Sequence, residues 1–145
     1  SLVLGYNIFY DNEKLPKLLD EAITNLKNNL CTIYGKKVKN PSEFGIAYFD
    51  KKNKLIDIIE KPKKILSNIA VVGLYFFTND VIKKVNLIEP SKRGELEITS
   101  LIKIYIDDGK VILKNIKNIF WADCGTFDSL LRSSLKIKEL INKKY

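Results

Sequence analysis

Nine consecutive residues, Ile69 to Phe77 (IAVVGLYFF), carry neither a charge nor an amide side chain. A strand with one wet face alternates polar and apolar positions, so an unbroken run reads as a strand covered on both faces. Covering both faces takes helices on two sides of a sheet, which points to α/β layering. The flanking sequence supplies the parts. Leu15, Leu18, Leu19, Ala22, Ile23 and Leu26 recur at helical spacing. Asp11 or Asn12 can cap that helix, and Pro16 suits its first turn. Residues 30–38 read as a strand, and residues 46–49 and 55–59, joined by Asp50-Lys51-Lys52-Asn53-Lys54, read as a hairpin that makes the sheet mixed. A short helix can start at Thr78 or Asn79, and a longer one spans about 95–106 before Asp107-Asp108-Gly109 stops it. Strands at 110–116 and 119–122 lead to a final amphipathic helix after Thr126, while Leu2-Val3-Leu4-Gly5 reads as a buried opening strand. The 145 residues suit one domain, 1–145.

Composition narrows the chemistry. With 46% apolar and 29% charged residues the chain is globular rather than disordered. No apolar run approaches the ~18 residues of a membrane span, and the N-terminus lacks the pattern of a signal peptide, so the expectation is a cytoplasmic protein without a membrane partner. There is no histidine, and the two cysteines, Cys31 and Cys124, are remote from each other. A zinc knuckle and a histidine-based triad are therefore excluded, and both cysteines read as buried thiols. Catalysis would have to use carboxylates, lysines, backbone amides or a metal. The net charge of +8 invites a nucleic-acid reading. Against it, only Arg93 and Arg132 among the 25 basic residues are arginines, the lysines are scattered in pairs, and no basic stripe is interleaved with aromatics. Nucleic acid is not an expected partner; a small anionic ligand is.

Four segments are over-specified for packing. Glu60-Lys61-Pro62 ends a strand, where proline stops ladder pairing and leaves a carboxylate and an ammonium at the sheet edge. The glutamate could accept sugar hydroxyl protons and the lysine could neutralise a phosphate, or the two could be a surface ion pair. Arg93-Gly94-Glu95-Leu96-Glu97-Ile98-Thr99 offers a guanidinium beside a helix start, suited to phosphate; alternatively Glu95 and Glu97 only complement the helix dipole. Asp123 follows a strand and precedes Gly125 and Thr126, so it could hold a metal or hydroxyl, or cap the helix. Gly73, inside the buried strand, permits close approach of a ligand or another backbone.

Taken in order, LVLG at Leu2, Asn7, Phe44-Gly45, Glu60-Lys61-Pro62, AVVGLYFF at Ala70, RGELEIT at Arg93, and the Trp121, Asp123, Gly125-Thr126 and Ser129-Leu130-Leu131 positions resemble the sugar-1-phosphate nucleotidyltransferases. The resemblance is nearest to the glucose-1-phosphate thymidylyltransferases and covers almost the whole chain. It implies a mixed-sheet, three-layer α/β/α, Rossmann-like fold with a β-hairpin insertion. The implied reaction is attack of the glucose 1-phosphate phosphate on the α-phosphorus of dTTP, releasing pyrophosphate and leaving dTDP-glucose. Such a displacement depends on positioning and charge neutralisation, for which histidine is not needed. By match to the family motifs, Gly45 and Glu60 would hold sugar hydroxyls, Lys61 the sugar phosphate, Val72 and Gly73 would line the sugar pocket, Arg93 would contact phosphate oxygens, and Asp123 would ligate Mg²⁺. Lys61 and Arg93 would be the catalytic cations.

The departures are also specific. Tyr6 stands where the family carries an aspartate that ligates Mg²⁺, and a neutral phenol is a poor ligand for that cation, so weaker metal binding is expected. Phe44, Cys124 and Ser100 replace a tyrosine, a threonine and an aspartate. No G-x-G-T-R run is present, and such a glycine-rich loop cradles phosphates. The expected correspondence is to the sugar-binding and C-terminal portion of the family, incomplete on the N-terminal side of the fold, acting with a complementing half or as a homo-oligomer. The alternative function is a non-catalytic module that binds a sugar phosphate or a nucleotide sugar.

Overall fold

The computed structural model describes residues 1–92 and 94–143. At its centre lies β6 (Ile69–Phe76), which realises the apolar run. One edge of β6 pairs antiparallel with β3 (Cys31–Lys37). The other edge is shared by β4 (Gly45–Phe49), which meets it at Ala70, and β1 (Leu2–Val3), which meets it at Leu74 and Tyr75. β5 (Leu55–Glu60) closes the hairpin with β4, and β7 (Val111–Asn115) runs parallel to β3, so the order β5-β4-β6-β3-β7 is a mixed sheet.

Strand alternation explains why the central run is apolar throughout. Val72, Leu74 and Phe76 pack with Ala22, Leu15, Leu18, Leu19 and Leu26 on α1 (Lys14–Lys27). On the opposite face Val71 and Tyr75 pack with Leu101, Ile102 and Tyr105 of α3 (Ile98–Asp107). These two helix layers enclose the sheet, the three-layer arrangement expected of the sequence. Full burial of each such aliphatic side chain contributes about 1.5–3 kcal/mol before chain entropy is counted. Local chemistry sets the ends: Asp11 Oδ1 accepts the amide hydrogens of Glu13 and Lys14 at 3.0 and 2.6 Å, and Gly109 at φ +66° ends α3. A short helix, α2 (Val81–Val85), links β6 to α3.

Three expectations need correction. Leu2 and Val3 form a strand but are 41% and 53% exposed, because one edge alone of β1 is covered among the described residues. α3 starts at Ile98 with Glu97 extended (ψ 132°), so Glu95 and Glu97 precede the helix instead of occupying its first turn. A strand absent from the sequence reading, β2 (Asn7–Tyr10), pairs antiparallel with β8 (Phe120–Asp123) to make a two-stranded ribbon beside the main sheet. Past it, α4 (Phe127–Asn142) is capped by Thr126, whose Oγ1 accepts from the Ser129 amide at 3.1 Å. Asp123 therefore is not the cap.

Candidate active site

The ribbon, the β4–β5 hairpin and the segment entering α3 enclose a cavity of about 310 Å³. Of the residues singled out from sequence, Gly45, Glu60, Lys61, Gly73 and Asp123 line it together. Gly45 and Glu60 are directly paired across the hairpin. A Cβ at Gly45 would lie 2.7 Å from Thr99 Cγ2 and 3.0 Å from Glu60 Oε2, so glycine is what lets α3 and the carboxylate close on the strand. The next residue, Lys61, has φ +43° and donates its amide hydrogen to Phe44 O at 3.0 Å. A left-handed backbone at a β-carbon residue costs on the order of 1–2 kcal/mol, and residues before proline favour extended conformations. Such strain concentrates at functional sites.

The close approach anticipated at Gly73 is made by Asn7 and Leu4. A Cβ there would lie 2.8 Å from each of Asn7 Cγ, Asn7 Nδ2 and Leu4 Cβ. Asn7 Oδ1 accepts two hydrogen bonds, from the Gly73 amide at 3.0 Å and from Trp121 Nε1 at 2.7 Å. The two bonds fix the amide plane and leave the Nδ2 hydrogens as the donors that Asn7 can offer a ligand. Trp121 also meets Phe44 edge-on, with ring centroids 5.7 Å apart at 63°. Asn7, Trp121 and Thr99 are cavity residues to which the sequence reading gave no role; the signal for Asn7 was its place in the opening motif.

Val72 was expected to line the pocket and does not. The two-residue period of β6 sends its side chain, 1% exposed, into the α1 core, and Val71 faces the cavity in its place. Arg93 lies outside the described residues. Among the described residues Lys61 is the one cationic side chain lining the cavity, facing Glu43, Glu60, Glu95, Glu97 and Asp123. On a chain of net charge +8, this cleft gathers carboxylates, which accept hydrogen bonds from hydroxyl-rich ligands.

Asp123 Oδ1 accepts from the Gly125 amide at 3.1 Å, and Tyr6 is held nearby by the Cys124 amide, which donates to its carbonyl at 2.7 Å. Partial burial, followed by the charges of Asp123 and Glu60, raises the Tyr6 pKa above the ordinary phenol value, so the phenol is neutral at physiological pH. Among the described residues no group of three or more acidic or cysteine side chains is placed to hold a metal ion. A Mg²⁺ ion beside Asp123 would therefore have to draw most of its oxygen ligands from bound phosphate and water.

Known proteins resemble this chain over most of its length. The glucose-1-phosphate thymidylyltransferase of Neisseria gonorrhoeae is 36% identical over 142 residues, covering 97% of this chain and 48% of the relative. That of Xanthomonas campestris is 42% identical over 130 residues, covering 89% and 43%. A Bacillus anthracis structure described as a glucose-1-phosphate thymidylyltransferase in complex with sucrose superposes with a TM-score of 0.76 at 35% identity, over 90% of this chain and 51% of that one. A UDP-glucose pyrophosphorylase structure with bound UDP-glucose shares the fold at a TM-score of 0.80 and 20% identity, over 94% of this chain and 55% of that one. The chain spans about half the length of the relatives it matches. Nucleotidyl transferase is the family whose model matches residues 1–139, and this chain belongs to it.

Proposed function

We propose that the cleft binds the sugar phosphate of a glucose-1-phosphate thymidylyltransferase reaction. In that reaction a phosphate oxygen of glucose 1-phosphate forms a bond to the α-phosphorus of dTTP, the bond to the β-phosphate breaks, and pyrophosphate leaves. The observation that carries the reading is the convergence of Gly45, Glu60, Lys61, Asn7 and Gly73 on one cavity. In this assignment Glu60 accepts sugar hydroxyl protons beside Gly45, Asn7 donates to a sugar oxygen, and Lys61 and Arg93 neutralise phosphate. Mg²⁺, when bound with phosphate, would be held by Asp123 and would supply further charge neutralisation. The Tyr6 phenol, a poor ligand for Mg²⁺, favours a second reading, a module that binds glucose 1-phosphate or dTDP-glucose without turnover.

The nucleotide-holding loop would come from a segment resembling the half of the relatives that this chain does not match. Its docking place would be the edge of β1 left unpaired among the described residues and the groove lined by Val3, Phe9, Leu15, Leu19, Leu74 and Phe76. Titration calorimetry with glucose 1-phosphate and with dTDP-glucose tests the cleft, and heat from neither ligand overturns both readings. Turnover of glucose 1-phosphate and dTTP that appears when the complementing half is added supports the enzymatic reading. Binding without turnover in that mixture supports the module.

A further inference from the structure

The turn between β7 and β8 is closed by a lysine. Lys36 Nζ donates to three backbone carbonyls, Ile116 O at 3.1 Å, Lys117 O at 3.0 Å and Ile119 O at 2.7 Å. Three acceptors match the three N–H bonds of an ammonium, so the protonated side chain completes the set. The contact begins where the ladder stops: the last β3–β7 pair is Gly35 with Asn115, and the Ile116 amide returns a hydrogen to Gly35 O at 2.9 Å. β8 starts immediately after Ile119, with Trp121 at its second position and Asp123 at its end. Ile116 and Ile119, 2% and 3% exposed, pack in the same cluster as Trp121. Burial draws the Lys36 pKa down, yet among the described residues no carboxylate pairs with it, so the carbonyls alone hold the ammonium in place.

We infer that Lys36 is a positioning residue for the cleft: by gathering the three carbonyls of the turn it sets the direction in which β8 leaves the sheet, and with it the placement of Trp121 and Asp123. Without the ammonium, three carbonyl dipoles that point to one spot must part or recruit water, and the ribbon pivots about its other polar tie, the Asn7 bridge between Gly73 and Trp121.

Trp121 is the single tryptophan and reports its own placement. Lys36→Met keeps most of the apolar stem and Lys36→Ala leaves room for n-propylammonium. Acrylamide quenching of Trp121 is read at a temperature where circular dichroism shows each variant folded, with Lys37→Ala as control. The expected result is at least a twofold rise in quenching constant for both Lys36 variants, reversal in Lys36→Ala by millimolar n-propylammonium, and no change in Lys37→Ala. A lower melting temperature with unaltered quenching would make Lys36 a stability residue only and overturn the inference, as would loosening that n-propylammonium does not reverse. If neither variant folds, ¹⁵N-lysine spectra of the wild-type protein decide: one ammonium resonance with hydrogen exchange slowed at least tenfold against the remaining lysines is expected, and its absence refutes the clamp. A parallel titration with glucose 1-phosphate, expected to weaken at least fivefold in Lys36→Met, rests on the sugar-phosphate reading. If the wild-type protein binds no glucose 1-phosphate, that reading falls while the quenching result still judges this one.

Discussion

Replacing Gly73 by alanine places a carbon 2.8 Å from Asn7 Cγ, Asn7 Nδ2 and Leu4 Cβ. The optimal carbon–carbon separation is about 3.5–4.0 Å, so each contact is short by roughly 0.7 Å or more. Neither neighbour yields easily. Asn7 is pinned by its bonds to the Gly73 amide and Trp121 Nε1, and Leu4 Cβ is carried on a backbone whose amide donates to Gly73 O at 2.9 Å. Overpacking of this kind costs about 1–3 kcal/mol, and one broken hydrogen bond adds about 1 kcal/mol, giving about 2–4 kcal/mol in all. At about 3 °C per kcal/mol for a domain of this size, the melting temperature should fall by about 6–12 °C. Trp121 emission should shift because its Nε1 partner moves, and glucose 1-phosphate binding should weaken. Gly5→Ala is the control: nothing lies within 4 Å of a Cβ there and φ is not in the left-handed region, so its stability should change by less than about 1 kcal/mol. Scanning calorimetry and Trp121 fluorescence read both variants. A Gly73→Ala melting temperature and emission equal to wild type would refute the packing of Asn7 and Leu4 on residue 73, and with it the claim that Asn7 is locked.

Lys61→Gly should relieve the left-handed backbone and raise stability by up to about 1 kcal/mol while weakening glucose 1-phosphate binding, a split that denaturant melts and calorimetry resolve. Lys61→Ala should weaken binding equally without the gain in stability; equal effects of both variants on stability would remove the strain argument. Burial pushes the Cys31 thiol from 9.0 to about 12 and the phenols of Tyr34 and Tyr105 from 10.0 to about 12. The folded state then holds protons that the unfolded chain releases, so the stability these groups give is complete below about pH 9 and is lost progressively as pH rises toward 12. Urea melts across that range should show a falling midpoint, with a later onset in Cys31→Ala. A thiol reagent at neutral pH should label half-buried Cys124 in the native protein and reach Cys31 only on unfolding; rapid labelling of both would contradict the burial of Cys31.

Much of this architecture is written locally. The 3.6-residue spacing of leucines made α1, the apolar run made β6, the Asp50–Lys54 turn with Asn53 at φ +59° made the hairpin, and Thr126 capped α4. These features depend on residues a few positions apart, so periodicity and turn chemistry suffice to read them. The family motifs likewise named Gly45, Glu60, Lys61, Gly73 and Asp123, five residues that the fold assembles on one cavity.

Other features had no local signal. β2 is four residues, Asn7 to Tyr10, and is a strand because β8 pairs with it from the far end of the chain. Leu2 and Val3 have the composition of a core strand, and only the sheet order shows that among the described residues one edge of β1 is uncovered. In a run apolar at every position, sequence does not say which face each residue takes. The register with α1 and α3 sent Val72 inward and Val71 to the cleft. The locks at Asn7 and Lys36 join segments distant in sequence through single polar atoms, so their meaning exists only once the chain has folded around them. Sequence alone therefore determined the elements with a local pattern and the chemistry available; tertiary structure added β2 and decided which atoms meet, because those pairings are set by long-range packing that no local pattern encodes.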